Sequence, residues 1–110
     1  MAITPSYAPL LILASLAEGD KHGYAIRRDV IERTAGDVRL GSTTLYRLLG
    51  QLRDEGYIGA ARVRPARHLD DERRQYFRIT AAGRRALGSE LRRLVRVLMA
   101  AKPAVDSRSR

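Results

Sequence analysis

Between Gly41 and Ile58 the chain reads G-S-T-T-L-Y-R-L-L-G-Q-L-R-D-E-G-Y-I, and Leu45, Leu48, Leu49 and Leu52 recur there at i, i+3, i+4 and i+7. At 3.6 residues per turn this spacing predicts a helix with one apolar stripe that must be buried against another element. The opposite face then carries Thr43, Tyr46, Arg47, Gly50 and Gln51. A face shaped only for solubility would carry Glu and Lys. This one offers short hydrogen-bonding groups, a phenol, a guanidinium and a position without a side chain, a set suited to close approach in a DNA groove. Ser42 is expected to cap the helix start, and Gly56 to end it.

Charge points the same way. The 110 residues carry a formal charge of +9, unevenly spread. From Met1 to Tyr57 seven bases balance seven acids, whereas from Ala81 onward eight bases face only Glu90 and Asp106. Such a one-sided positive footprint suits a polyanion, nucleic acid or an anionic membrane face. Nineteen of the 21 bases are Arg, the residue suited to bidentate phosphate and base contacts. The absence of cysteine removes disulfides, thiolate metal sites and thiol redox chemistry. The apolar run Pro9–Ala14 has no basic segment ahead of it and is far shorter than a bilayer span, so a cytoplasmic protein with no membrane partner is expected. His22 and His68 lack metal-ligand spacing, and no H-E-x-x-H motif, Gly-rich phosphate loop or Ser-His-Asp pattern is present. The chain is therefore read as a non-enzyme with no cofactor and no metal.

The remaining elements follow from periodicity and breakers. Pro9 to Ala17 is apolar nearly all round and should form a helix buried on more than one side, stopped at Gly19. His22 to about Thr34 is a second helix, with Tyr24 and Ile31 on one flank and Ile26 and Val30 on another, broken at Ala35-Gly36-Asp37. Ile58 to Arg64 and Gln75 to Ile79 read as two strands of a hairpin whose charged tip runs from Pro65 to Arg74. Thr80 should cap a last helix that ends near Ala101, at Lys102-Pro103. The order helix, helix, helix, strand, strand predicts a mainly α fold with a two-stranded β-wing, a winged helix-turn-helix with a C-terminal dimerisation helix. The divisions expected are a DNA-binding domain over 1–80, the dimerisation helix over 81–101 and a disordered tail over 102–110.

Three segments, L-A-E-G-D-K-H-G-Y-A-I (Leu16–Ile26), the Gly41–Ile58 stretch, and R-R-Q-Y-F-R-I-T-A-A-G (Arg73–Gly83), stand in an order and spacing that resemble the PadR family of bacterial transcriptional regulators in its short-tailed form. The resemblance implies a homodimer that binds an operator in double-stranded DNA, usually as a repressor and often released by a small effector.

The candidate DNA contacts are Ser42, Thr43, Thr44, Tyr46, Arg47 and Gln51 on the reader helix, with Arg64, Arg67, Arg73 and Arg74 on the wing. Arg47 is the expected base or backbone contact, Tyr46 a donor to phosphate, and the wing arginines enter the minor groove or meet phosphate. In the last helix Leu87, Leu91, Leu94, Leu98 and Ala101 alternate steps of four and three, which predicts a heptad seam to which Leu10 and Leu13 of the partner contribute. A possible effector pocket is placed along that seam at Tyr7, Leu11, Ser15, Leu94, Leu98 and Met99, for a small apolar or aromatic ligand, with Arg92, Arg93 or Arg96 near enough to attract an anion. Two alternatives stay open at this point, a sequence-indifferent nucleoid-type DNA-binding protein and a winged-helix protein-interaction module.

Overall fold

The computed structural model describes residues 7–61 and 75–108. Four helices, α1 (Ala8–Ala17), α2 (Gly23–Arg33), α3 (Ser42–Asp54) and α4 (Ala81–Arg108), surround a small antiparallel sheet of β1 (Lys21–His22), β2 (Ile58–Ala60) and β3 (Tyr76–Ile79). The sheet order is β1-β3-β2, with Ile58 opposite Ile79, Ala60 opposite Phe77 and His22 opposite Tyr76. The fold is a winged helix.

The sheet corrects the expectation of two strands. His22, expected to open the second helix, is instead extended, and together with Lys21 it pairs with β3 before the chain turns into α2. His22 is the N-cap, its Nδ1 accepting from the Ala25 amide at 3.1 Å. The N-cap position favours extended φ/ψ, and here that geometry also supplies a short strand.

Helix α1 is buried on several sides, as its all-round apolarity requires. It packs on α2, β3 and α4 and places Ile12 and Leu16 at the centre of a single core that also holds Ile26, Val30, Phe77 and the α3 stripe. Leu45, Leu48, Leu49 and Leu52 are all buried. Both α2 and α3 end in a Schellman motif. Gly36 N donates to Ile31 O and Ala35 N to Glu32 O, and Tyr57 N donates to Leu52 O and Gly56 N to Arg53 O. The left-handed residues are Ala35 (φ 50°), Gly36 (φ 85°) and Gly56 (φ 82°), which is why the sequence breaks there.

Two features of α4 differ from expectation. The helix does not stop at Lys102-Pro103 but continues to Arg108 with Pro103 inside it. Proline removes one ladder donor, a loss that an exposed helix can offset with water and with the Lys102–Asp106 ion pair spanning the site at 2.9 Å. Leu87, expected in the seam, is 8% exposed and belongs to the chain's own core, as does Leu13. Beyond Glu90 the helix leaves the domain, and every residue from Leu91 to Asp106 is exposed.

The start of α4 is locked to the end of α3. Thr80 Oγ1 donates to the Gly56 carbonyl at 2.7 Å and accepts from the Gly83 amide at 3.0 Å, the capping bond expected of it. Gly83 sits so close to the strand entry that a Cβ there would lie 2.1 Å from the Tyr57 carbonyl oxygen. A second lock joins α1 to α2. Lys21 Nζ donates to the Ser15 carbonyl, and Arg33 bridges Asp29 at 2.9 Å and also Glu18. Burial works to raise the Asp29 carboxyl, but the facing Ser15 hydroxyl and the Arg33 and Lys21 cations hold it below its ordinary value of 3.8. The Ser15 hydroxyl is fully buried and stands outside regular hydrogen-bond geometry, so Arg33 is the carboxylate's firm partner.

Two outcomes are expected. Gly83→Ala should destabilise the domain by about 1–3 kcal/mol, since a backbone oxygen rather than a flexible side chain must give way, and thermal unfolding should show a clear drop in Tm. The Asp29 contribution is present above the unfolded carboxylate pKa and is lost as pH falls through the lower folded value. The stability gap between wild type and Asp29→Asn should be constant near neutrality and close below about pH 4, as read by denaturant unfolding at several pH values.

Candidate nucleic-acid interface

Helices α2 and α3 form the helix-turn-helix, and burial of the leucine stripe fixes how α3 is rotated. Thr43, Tyr46, Arg47 and Gln51 are consequently exposed along one side, with Thr44 and Gly50 half-buried at its edges. Each side chain of this face projects from a regular helix. Gly41, not Ser42, is the N-cap, with extended backbone (φ −69°, ψ 162°) and no side-chain cap. Ser42 is therefore the first helical residue and stands exposed, its hydroxyl outside any capping bond. This corrects the expected cap, since Gly41 offers the first-turn amides of α3 no side-chain acceptor. Such an end carries partial positive charge.

Tyr46 stands exposed on this face. Its ring is 55% exposed and lies over Gly23 at the start of α2, where a Cβ would fall 2.4 Å from the phenol oxygen. The missing side chain at Gly23 thus makes room for the Tyr46 ring and sets where its hydroxyl stands. Tyr24, which follows Gly23, is exposed, with the Arg28 guanidinium 5.7 Å from its ring centre. The start of α2 therefore carries the Tyr46 ring over Gly23 and, separately, an exposed Tyr24 with Arg28. Sequence reasoning missed the role of Gly23 because its proximity to Tyr46 is a contact between helices. The only sequence signal was Gly23 itself, a helix-breaking residue at a helix start.

The wing arginines Arg64, Arg67, Arg73 and Arg74 lie outside the described residues. What the fold does place is the wing's base, where β2 and β3 pair and Arg78 Nε donates to the Ala60 carbonyl at 3.1 Å. Among the described residues no group of three or more His, Asp or Glu is arranged to hold a metal. No helix of the described residues is long and apolar enough to cross a membrane.

At the other end of α3 a cleft of about 690 Å³ opens between α1, the α3 end and α4. Tyr7 and Leu94 of the expected effector pocket line it, together with Leu10, Leu13, Glu55 and Tyr57. Leu11, Leu98 and Met99 do not, and Ser15 is fully buried in the core. Arg93, expected to attract an anion, also lines the cleft but is ion-paired with Glu90, which holds that carboxyl below its ordinary range.

Comparison with known proteins supplies the context for this geometry. Residues 12–89 match the model of the Transcriptional regulator PadR-like family. Over 91 residues the chain is 36% identical to an uncharacterized 37.1 kDa protein in transposon TN4556 of Streptomyces fradiae, covering 82% of this chain and spanning about a quarter (24%) of that relative's length. Among solved structures it resembles a transcriptional regulator from Clostridium thermocellum (TM-score 0.70, 26% identity, 94% of each chain). It shares its fold with a PadR family transcription regulator from Clostridium difficile R20291 (TM-score 0.76, 22% identity, 91% of this chain and 99% of that one). The fold also matches Bacillus subtilis PadR in complex with operator DNA (TM-score 0.62, 23% identity, 76% of this chain and 45% of that one). With more than half of its length matched by the family model, the chain belongs to the PadR-like family of transcriptional regulators.

Proposed function

We propose that this chain is an operator-binding repressor that acts as a homodimer and reads DNA with α3. The observation that carries the reading is the two-faced character of that helix. One face is wholly committed to the core, and the other leaves Thr43, Tyr46, Arg47 and Gln51 exposed. In the groove Arg47 offers a guanidinium to guanine or phosphate, Thr43 and Gln51 short polar contacts, and Ser42 and Thr44 stand at the positive helix end where phosphate is favoured. Tyr46, held over Gly23, donates its hydroxyl to the backbone. The wing arginines Arg64, Arg67, Arg73 and Arg74 are assigned to phosphate and the minor groove on charge alone.

The dimer is proposed through the outer part of α4. Leu91, Leu94 and Leu98 are exposed, Leu98 by 62%, on the outer part of that helix. A coiled-coil seam buries such a row, and Leu10, half-buried beside the cleft, can meet the partner's arm. Twofold symmetry then sets half-sites about one helical turn apart, or a multiple of it. A small effector is proposed for the cleft beneath the α3 end. With Arg93 neutralised by Glu90 and with Glu55 on the rim, the site suits an uncharged apolar or aromatic molecule better than an anion. A cytoplasmic location follows from the function proposed.

Selection of duplexes from a randomised pool tests the central claim. Enrichment of an inverted repeat supports it; binding without sequence enrichment would make the chain a nucleoid-type protein instead. On the enriched duplex, Arg47→Ala should weaken binding by about 1–3 kcal/mol and relax preference at one base position per half-site. Gly23→Ala should push the Tyr46 ring aside and weaken binding while leaving the thermal unfolding curve nearly unchanged, because only the far end of one side chain has to move. Sedimentation should find a dimer at micromolar concentration, and Leu98→Asp should shift it toward monomer. A stable wild-type monomer would remove the dimer from the proposal.

A further inference from the structure

Arg27 lies on α2, and none of the contacts proposed above uses it. Its Nε donates to the Leu40 carbonyl at 2.7 Å, thirteen residues along the chain. Leu40 is itself buried, and it immediately precedes Gly41, the N-cap of α3. Its carbonyl falls outside the α3 ladder, whose first bond runs from the Leu45 amide to the Gly41 carbonyl at 2.9 Å. A buried segment must find partners for such a group outside the helix. A charged donor makes that bond short and strong, roughly twice a neutral one.

The connection between the two helices is short and held at both ends from α2. Thr34 Oγ1 accepts from the Val38 amide at 3.0 Å while donating to the Val30 carbonyl at 2.9 Å. Val38 and Leu40 both send their side chains into the core. Of the two anchors, Arg27 is the one adjacent to α3. The residues that follow it are Ser42 and Thr43 in the first turn, with Arg47 one turn further on. Groups that recognise a ligand need to be held to about 0.5 Å by supporting side chains, so a loosened Leu40 would be felt directly in the contact face.

We infer that Arg27 is a positioning residue, which fixes the entry of α3 through the Leu40 carbonyl and so sets the placement of Ser42, Thr43 and Arg47 against DNA. The functional part rests on the DNA-reading role proposed for α3; the structural part concerns the free protein and can be measured without DNA. Arg27→Met keeps the apolar stem and removes the donor, and Arg27→Lys returns a cationic donor on a similar stem.

Amide hydrogen exchange by NMR on the full chain reads the first part. Arg27→Met should raise exchange at Leu45 and Tyr46 about tenfold, the factor expected for losing one charge-assisted bond, with Ile12 and Leu87 unchanged. Arg27→Lys should restore most of the protection. Affinity for the duplex enriched by the wild-type chain reads the second part. Arg27→Met should bind about tenfold more weakly with the same salt slope, and Arg27→Lys should recover much of the loss. Unchanged exchange at the α3 start, or a change spread evenly over all helices, overturns the inference. A salt slope reduced by about one unit would make Arg27 a direct phosphate contact and equally overturn it. If the wild-type chain enriches no duplex, the DNA-reading role of α3 fails and takes the functional part with it, while the exchange result still decides the anchoring.

Discussion

The bond pattern joining Gly56 and Tyr57 to Thr80 and Gly83 carries the rest of this structure. At this junction the end of α3, the start of β2, the end of β3 and the start of α4 meet within a few residues. Thr80 uses its hydroxyl twice, as donor to Gly56 and as cap for Gly83, and its amide donates to the Tyr57 carbonyl at 3.0 Å. Glycine at 83 lets the helix start rest directly on the Tyr57 backbone. Because this contact is backbone to backbone, it has little freedom to adjust. The direction in which α4 leaves the domain is therefore tied to the direction of α3.

That coupling gives the proposed dimer its significance. Two contact helices whose arms leave at a fixed angle are held at a fixed separation when the arms pair. A change at the base of an arm then becomes a change in spacing. The cleft lies at this base, lined by the α3 end on one side and α4 on the other. A molecule bound there would bias the spacing only to the extent that it prefers one arrangement over the other. The α1 helix serves both halves, since it fills the core behind α2 and also provides the cleft wall at Leu10 and Leu13.

Much of the fold was legible in the sequence because its elements obey strong local rules. The leucines of α3, the breakers at Ala35-Gly36 and Gly56, the cap at Thr80 and the apolar α1 each point to the element found. The departures share a cause. His22 and Lys21 became a strand because β3 offered an unpaired edge, and two residues are too few to show a period of two. Ser42 lost the capping position to Gly41 by one residue, and helix boundaries are seldom sharper than that from composition. Pro103 stayed inside α4 because an isolated proline in an exposed helix removes one bond without a buried group to leave unsatisfied. Leu87 reads as one more member of the α4 seam, yet the fold buries it in the chain's own core.

The sequence alone determined which face of α3 is apolar, and with it that Thr43, Tyr46, Arg47 and Gln51 share the other. That follows from the 3.6-residue repeat, which needs no knowledge of what the helix packs on. It also determined the order of elements, the concentration of positive charge in the second half and the absence of thiol chemistry. Only the tertiary structure decided that Tyr46 rests over Gly23 and that Arg27 holds the Leu40 carbonyl. It alone divided the last helix into a buried start and an exposed arm. These are contacts between residues far apart in the chain. Each depends on the distance and angle between packed elements, quantities that a local pattern of side chains does not contain.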